Sequence, residues 1–269
     1  MSQVTGHRSQ VTGHRSQVTG HRDNFTYEGY IDLVQRILEQ GYKIVSYHNW
    51  KNMEKCVIFR HDIDNDVNKA LTLARLEREH EINSTYFVLV TSDFYNVFSR
   101  SSAEALRGIV ACGHEIGLHF DEVRYPEAAG DIDSVRGKIR QEAKLLEEAV
   151  GTPVKCVSMH RPSPLILESD LEIPGMVNSY GKTFFKEFKY LSDSRRRWRE
   201  PVDEIVASGQ QRRLHILTHP FWYQEAPISL GETVKTFIEG ANRDRYRIFS
   251  ENFTNLEEVY PAPNEWREQ

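Results

Sequence analysis

The chain has 269 residues, a formal net charge of -5 and a sequence pI of about 6.1. Hydrophobic residues, at 39%, suffice for a large core, and the mild acidity excludes a protein held to nucleic acid or to an anionic membrane by overall charge. No apolar run is long enough to span a membrane, and residues 1–22 lack the apolar core of a secretory leader, so the expected location is cytoplasmic. Three cysteines, Cys56, Cys112 and Cys156, form no C-x-x-C pair and read as buried thiols in a reducing compartment.

After Met1 come three copies of S-Q-V-T-G-H-R, at 2–8, 9–15 and 16–22. A period of seven invites a coiled coil, but each copy offers one valine and no second apolar position, which excludes it. The segment carries three arginines and no acid, which leaves -8 on the other 247 residues. It reads as a disordered tail, with His7, His14 and His21 as loose metal donors, ahead of one catalytic domain over 23–269.

Helix and strand patterns then alternate. Residues 27–40 put Tyr30, Leu33, Val34, Ile37 and Leu38 on one helical face ahead of Gly41. Strands are expected over 42–47, 55–60, 84–90, 115–119, 154–159 and 214–218. Further helices are expected over 67–80, over 101–112 with Ser101 as cap, and over 133–150, with a broken terminal helix over 237–259. Apolar strands alternating with helices imply a parallel sheet covered by helices, either open and doubly wound or closed, wholly or in part, into a barrel. Both architectures place function just beyond the C-terminal ends of strands.

Four polar clusters sit at such ends. Arg60-His61-Asp62-Ile63-Asp64 follows the run C-V-I-F. Two carboxylates separated by one residue can divide the work, one holding a metal and one taking a proton from bound water. The bland alternative is that Asp64 or Asn65 caps the next helix. In 113–121, alternation puts Glu115, His119 and Asp121 on one face and His114 on the other, and His119 with Asp121 forms an N/O donor pair. Alone, His119 reads equally as a hydrogen-bonded histidine. In Ser158-Met159-His160-Arg161-Pro162, the proline forces Arg161 into an extended conformation, from which it can clamp a carboxylate or lie on the surface. His219, after L-H-I-L, is placed as a general acid, and Phe221, Trp222 and Tyr223 form either an aromatic wall for a sugar or ordinary core.

These residues resemble the polysaccharide deacetylase family, the NodB-homology carbohydrate esterases, from about residue 57 to 222. The resemblance implies a (β/α) barrel, seven-stranded and distorted, and a divalent metal, commonly zinc, used to remove acetyl groups from N- or O-acetylated sugars. It implies Asp62 as base, Asp64 and His119 as metal ligands, Arg161 as the group that orients the base, and His219 as the acid. Asp193, within Y-L-S-D-S ahead of Trp198, resembles an aspartate that supports that histidine. The family's second metal histidine falls at Val123, so Asp121 or His160 must supply the third ligand, and His160 is preferred. His61, Asp121, Asp193 and Trp222 are assigned to the substrate pocket.

The basic, aromatic stretch 182–199, with Arg195, Arg196, Arg197 and Arg199, reads as a solvated loop or as a site for a nucleotide- or lipid-diphosphate-linked sugar, which suggests surface-polysaccharide or O-antigen biosynthesis. Rival readings are a non-catalytic carbohydrate-binding pseudoenzyme, motivated by Val123, and a hydrolase of a non-sugar amide. A histidine–aspartate phosphoesterase, which carries that doublet on a helix, and a nucleic-acid-binding protein fit less well.

Overall fold

In the computed structural model, residues 25–263 and Trp266 are described; the repeat at 1–22 lies outside them. The elements run α1 (Tyr27–Glu39), β1 (Lys43–Ile44), β2 (Cys56–Ile63), α2 (Val67–Glu79), β3 (Thr85–Val88), α3 (Arg100–Ala111), β4 (Glu115–Phe120), α4 (Ile132–Val150) and β5 (Cys156–Met159). Then follow α5 (Pro164–Ser169), β6 (Val177–Asn178), α6 (Lys182–Lys186), β7 (Lys189–Ser192), α7 (Val202–Ser208), β8 (Arg213–Thr218), α8 (Leu230–Asn252) and α9 (Leu256–Val259). All strand pairs are parallel, in the order β6-β5-β4-β3-β2-β8-β7, with β1 a short addition to β2. That path of seven parallel strands matches the expected distorted barrel. Among the described residues β6 and β7 do not pair with each other, so the barrel is open at that seam.

The sheet has two apolar faces. On the outer face, Tyr30, Val34 and Ile37 of α1 pack against Val57, Phe59 and Ile216, and α2, α3 and α4 cover Tyr86, Val88, Ile116 and Leu118. The inner face closes on Cys56, Ile58, Phe87, Cys156, Tyr47, Trp50, Phe184 and Phe188. Side chains from β2, β3 and β5 meet one another there, so the sheet curls around an interior. Phe184 and Phe188, in the stretch expected to be a basic loop, instead fill that interior from α6 and the residues just after it. Gly117 on β4 faces the same space: a Cβ there would meet Phe87 Cε1 at 2.5 Å, so the phenyl ring occupies the volume a side chain would need.

Two helix starts differ from expectation. Ser99, not Ser101, caps α3, accepting from Ser102 N at 3.3 Å, and Glu104 pairs with Arg100 instead of closing a capping box. Helix α8 begins at Leu230 behind a capping box of Ser229 and Glu232, earlier than periodicity indicated, and stops at Asn252. The expected strand over 55–60 runs on to Ile63, so Asp62 lies within it.

Candidate active site

Residues 60 to 64 alternate across β2, and alternation decides which side chains enter the interior. Arg60 and Asp62 point inward. The guanidinium donates from Nε to Asp62 Oδ1 at 2.8 Å and from Nη2 to Oδ2 at 2.7 Å, a two-point clamp between side chains 0% and 3% exposed. Phe87 and Tyr180 lie against that guanidinium, at 5.1 and 5.0 Å, and Ser179 Oγ accepts from Nη1. Burial works to raise the Asp62 carboxyl, but the charge of Arg60, then that of His119, outweighs it and holds the group below its ordinary value.

His61 points the other way. Its Nδ1 lies 2.7 Å from Thr218 Oγ1 and its Nε2 2.9 Å from Glu77 Oε1, fully buried behind the sheet. The pocket role expected for His61 is therefore corrected, because one residue along a strand changes the face. The helix cap is Asp66, which accepts from Asn68 N and Lys69 N, so neither Asp64 nor Asn65 serves as one.

Asp64, His119 and His160 converge. Their candidate ligand atoms all lie within 4.8 Å of one another. Asp64 Oδ1 is 3.3 Å from His119 Nε2 and 3.5 Å from His160 Nδ1, and those two nitrogens are 3.1 Å apart. His119 Nδ1 sits 2.6 Å from Ser158 Oγ on β5, which fixes the ring with Nε2 toward the cluster. Burial, then the charge of His119, lowers the His160 pKa, which favours the neutral ligand form. For Asp64, burial works upward, but the close approach and charge of His119, then the charges of His219 and His160, push the carboxyl well down.

Asp64 Oδ1 is buried without a hydrogen-bond partner. That oxygen faces two imidazole nitrogens, and with both rings neutral a cation between the three atoms would satisfy all three donors. Two nitrogens and one oxygen suit a borderline divalent ion, and three protein donors leave a position open for water. Val123 supplies nothing: it is 57% exposed on the turn after β4.

Arg161 is not where the resemblance implied. It donates from Nε to Asp121 Oδ1 at 3.1 Å and from Nη2 to Oδ2, so it holds Asp121 and not Asp62. It follows β5, whose neighbour is β4 with Asp121 at its end, whereas Asp62 lies on β2, two strands further on. Asp121, 1% exposed and also 3.7 Å from Arg124, is an anchor for these arginines more than a pocket group.

His219 follows β8, which pairs with β2 so that Thr218 lies beside His61. Its Nδ1 is 2.6 Å from Asp193 Oδ1, and Asp193 also accepts from the His219 backbone N–H and from Tyr223 Oη at 3.2 Å. Asp193 is fully buried, so the pocket role expected for it gives way to holding the imidazole. His219 Nε2 lies 3.8 Å from Asp64 Oδ2. Burial works to lower the His219 pKa, but the charge and hydrogen bond of Asp193, then the charges of Asp64 and Asp62, raise it to about 9. Trp222 lies beside it at 6.4 Å between ring centroids, with Nε1 buried and without a hydrogen-bond partner. Phe221 and Tyr223 turn into the core, so the expected aromatic wall reduces to Trp222.

Sequence reasoning assigned no role to Arg60 or Ser158. Each was legible by alternation, Arg60 two residues before Asp62 and Ser158 two before His160, but nothing in the sequence says that β5 lies against β4.

The fold and this cluster define a parallel α/β protein with a three-donor N/O centre, flanked by an arginine-held carboxylate and a carboxylate-held imidazole. No protein-family profile matches the chain, and no curated protein does. Among solved structures it is similar to the wild-type form of a CE4 family pseudoenzyme from Bacillus anthracis, at 15% identity and a TM-score of 0.41, over 72% of this chain and 62% of that one, less than two thirds of its length. It is also similar to a family 4 acetyl xylan esterase from Clostridium thermocellum solved with a cobalt ion, at 19% identity and a TM-score of 0.40, over 70% and 84% of the two chains. A third likeness is to the catalytic domain of a peptidoglycan N-acetylglucosamine deacetylase from Eubacterium rectale, at 13% identity and a TM-score of 0.43, over 72% and 87%.

Proposed function

We propose that this chain is a metal-dependent deacetylase that hydrolyses an N-acetyl or O-acetyl group on a sugar, a divergent member of the polysaccharide deacetylase family. The observation that carries the reading is the placement of Asp62 and His219 around one donor cluster: Asp62 Oδ2 is 3.5 Å from His119 Nε2, and His219 Nε2 is 3.8 Å from Asp64 Oδ2. Asp64, His119 and His160 would hold the metal, zinc by its donor set. When bound, such an ion supplies Lewis acidity and lowers the pKa of a water.

Asp62 stays ionised beside Arg60 and takes the water's proton, while the water oxygen forms its bond to the acetyl carbon. His219 holds its Nδ1 proton against Asp193 and so keeps a second proton on Nε2. Raised to about 9, it carries that proton at neutral pH. It gives this proton to the nitrogen as the C–N bond breaks, which avoids departure of an amine anion. Acetate and the free amine leave. Asp62, at 3% exposed, accepts only from a group inside the cluster, whereas Asp64, His160 and His219 are 25%, 26% and 12% exposed and form the mouth through which a sugar enters.

The substrate form we infer is diphosphate-linked. Arg195, Arg197 and Arg199 are exposed just beyond Asp193 on the same loop, while Arg196 is held by Ile228 O and the Phe25 ring.

The test is acetate release from a panel of N- and O-acetylated sugars by the zinc-loaded protein, with Asp62→Asn and His219→Ala alongside. Acid–base groups contribute roughly 10²–10⁴-fold each, and losses of that size are expected. A metal-loaded parent that releases no acetate from any of them, yet binds them, replaces this reading with the non-catalytic one that Val123 motivates.

A further inference from the structure

We infer a second metal site, at the opposite end of the barrel, formed by His48, Glu115 and Cys156 and suited to a divalent cation of the zinc type. Glu115 opens β4 and Cys156 opens β5, so both sit at the N-terminal rim, and His48 reaches them from the turn after β1. His48 Nε2 is 2.8 Å from Glu115 Oε1, Cys156 Sγ is 3.3 Å from that same oxygen, and Cys156 Sγ is 3.5 Å from His48 Nε2. Donors around a tetrahedral zinc ion, at the usual bond lengths, stand about 3.3–3.6 Å apart. Opening the His48–Glu115 contact by roughly half an ångström therefore admits the ion.

The surroundings are those of a built site. Glu115 Oε2 accepts from Thr85 Oγ1 at 3.2 Å, which orients the carboxylate, and the turn that carries His48 is pinned where Ser46 N donates to Asn49 Oδ1 at 2.8 Å. Cys156 is fully buried, whereas the His48 and Glu115 side chains are 40% and 23% exposed, so the ion has a route in and a solvent-facing position left for water. A cysteine nucleophile fits less well. The thiol and the carboxylate address the same imidazole nitrogen, so no relay runs through the ring.

The site is separate from the proposed catalytic centre. Glu115 and His119 are four residues apart on one strand face, about 13 Å, with the Phe87 ring over Gly117 between them.

The reduced, metal-stripped full chain is titrated with cobalt(II) and followed by its thiolate-to-cobalt charge-transfer absorption. The cluster at Asp64 has no sulfur donor, so this band reports a thiolate site apart from it, and Cys156→Ser separates Cys156 from the free Cys56 and Cys112. A saturable band is expected in the parent and in Asp64→Ala, which separates this inference from the deacetylase reading. The band should vanish in Cys156→Ser, and His48→Ala, on an exposed turn, should weaken cobalt roughly tenfold or more, since loss of even an outer-shell partner costs that much. No thiolate band in the parent, or a band that survives Cys156→Ser, overturns the site. So does a cobalt affinity unmoved by His48→Ala, the variant that carries the test if Cys156→Ser does not fold.

Discussion

Replacing Arg60 with methionine tests the assignment that differs most from the family pattern. The change leaves Asp62, 3% exposed, without its cation. Breaking a buried ion pair from one side costs about 3–5 kcal/mol, a large share of the roughly 5–15 kcal/mol that holds a domain folded. The effect on chemistry follows from the same pair. Burial pushes the Asp62 carboxyl up, and Arg60 is the strongest of the groups that hold it down. Without Arg60 the carboxyl rises, and the base is partly protonated where the parent's is not. A depressed carboxyl contributes stability that is present above its unfolded value, about 3.9, and fades as pH falls through the lower folded value. The deficit of Arg60→Met in urea unfolding is therefore full at neutral pH and shrinks in acid. The acid limb of its acetate-release profile moves to higher pH. Arg161→Met is the control: that side chain is 52% exposed and holds Asp121, so its stability loss is smaller and the acid limb stays in place. If Arg60→Met does not fold, Arg60→Lys keeps the charge and loses the two-point clamp. An acid limb that moves in Arg161→Met and stays put in Arg60→Met or Arg60→Lys would refute the assignment.

Elemental analysis of protein lacking 1–22 should show one zinc equivalent fewer in Asp64→Ala, His119→Ala and His160→Ala than in the parent and in Val123→Ala; an unchanged zinc content in His160→Ala would remove the third ligand. Nuclear magnetic resonance of the metal-free protein should place the His219 titration near pH 9, and Asp193→Asn should move it down toward the ordinary value of 6.5. Because that pKa is raised on folding, its stabilising contribution is full below about 6.5 and is lost as pH climbs through about 9. Gly117→Ala should lower stability by about 1–3 kcal/mol in thermal unfolding, because its Cβ meets the Phe87 ring in a filled interior.

The long elements were legible because burial writes a period into them. Helix α1 is expected over 27–40 and found at Tyr27–Glu39, and the 67–80 helix is found at Val67–Glu79. The short elements were not. β6 and β7 hold two and four residues, too few for alternation to stand out, and the basic stretch hides two interior phenylalanines, Phe184 in α6 and Phe188 just after it. Site residues that take part through their own strand, Asp62, Asp64, His119 and His219, were readable because strand ends face the functional rim. The pairing of arginines with carboxylates was not readable from the motifs. H-R-P names an arginine but not its partner, and only strand order decides that Arg161 meets Asp121 while Arg60 serves Asp62.

The same period of two explains why both ends of this barrel are chemically equipped. Along β4 the inward row is Glu115, Gly117, His119, and along β5 it is Cys156, Ser158, His160. The register brings Ser158 level with His119. The first pair, Glu115 with Cys156, makes the lower donor set, and the last, His119 with His160, joins Asp64 in the upper one. Ser158 orients His119 from the row between, and the absence of a side chain at Gly117 lets Phe87 divide the interior. A one-residue slip of β4 against its neighbours would turn Glu115 and His119 outward together and empty both sites at once. The two centres are thus independent as ligand sets but share one register, so a variant that disturbs the packing of Phe87 should weaken both, whereas a ligand substitution should weaken only its own.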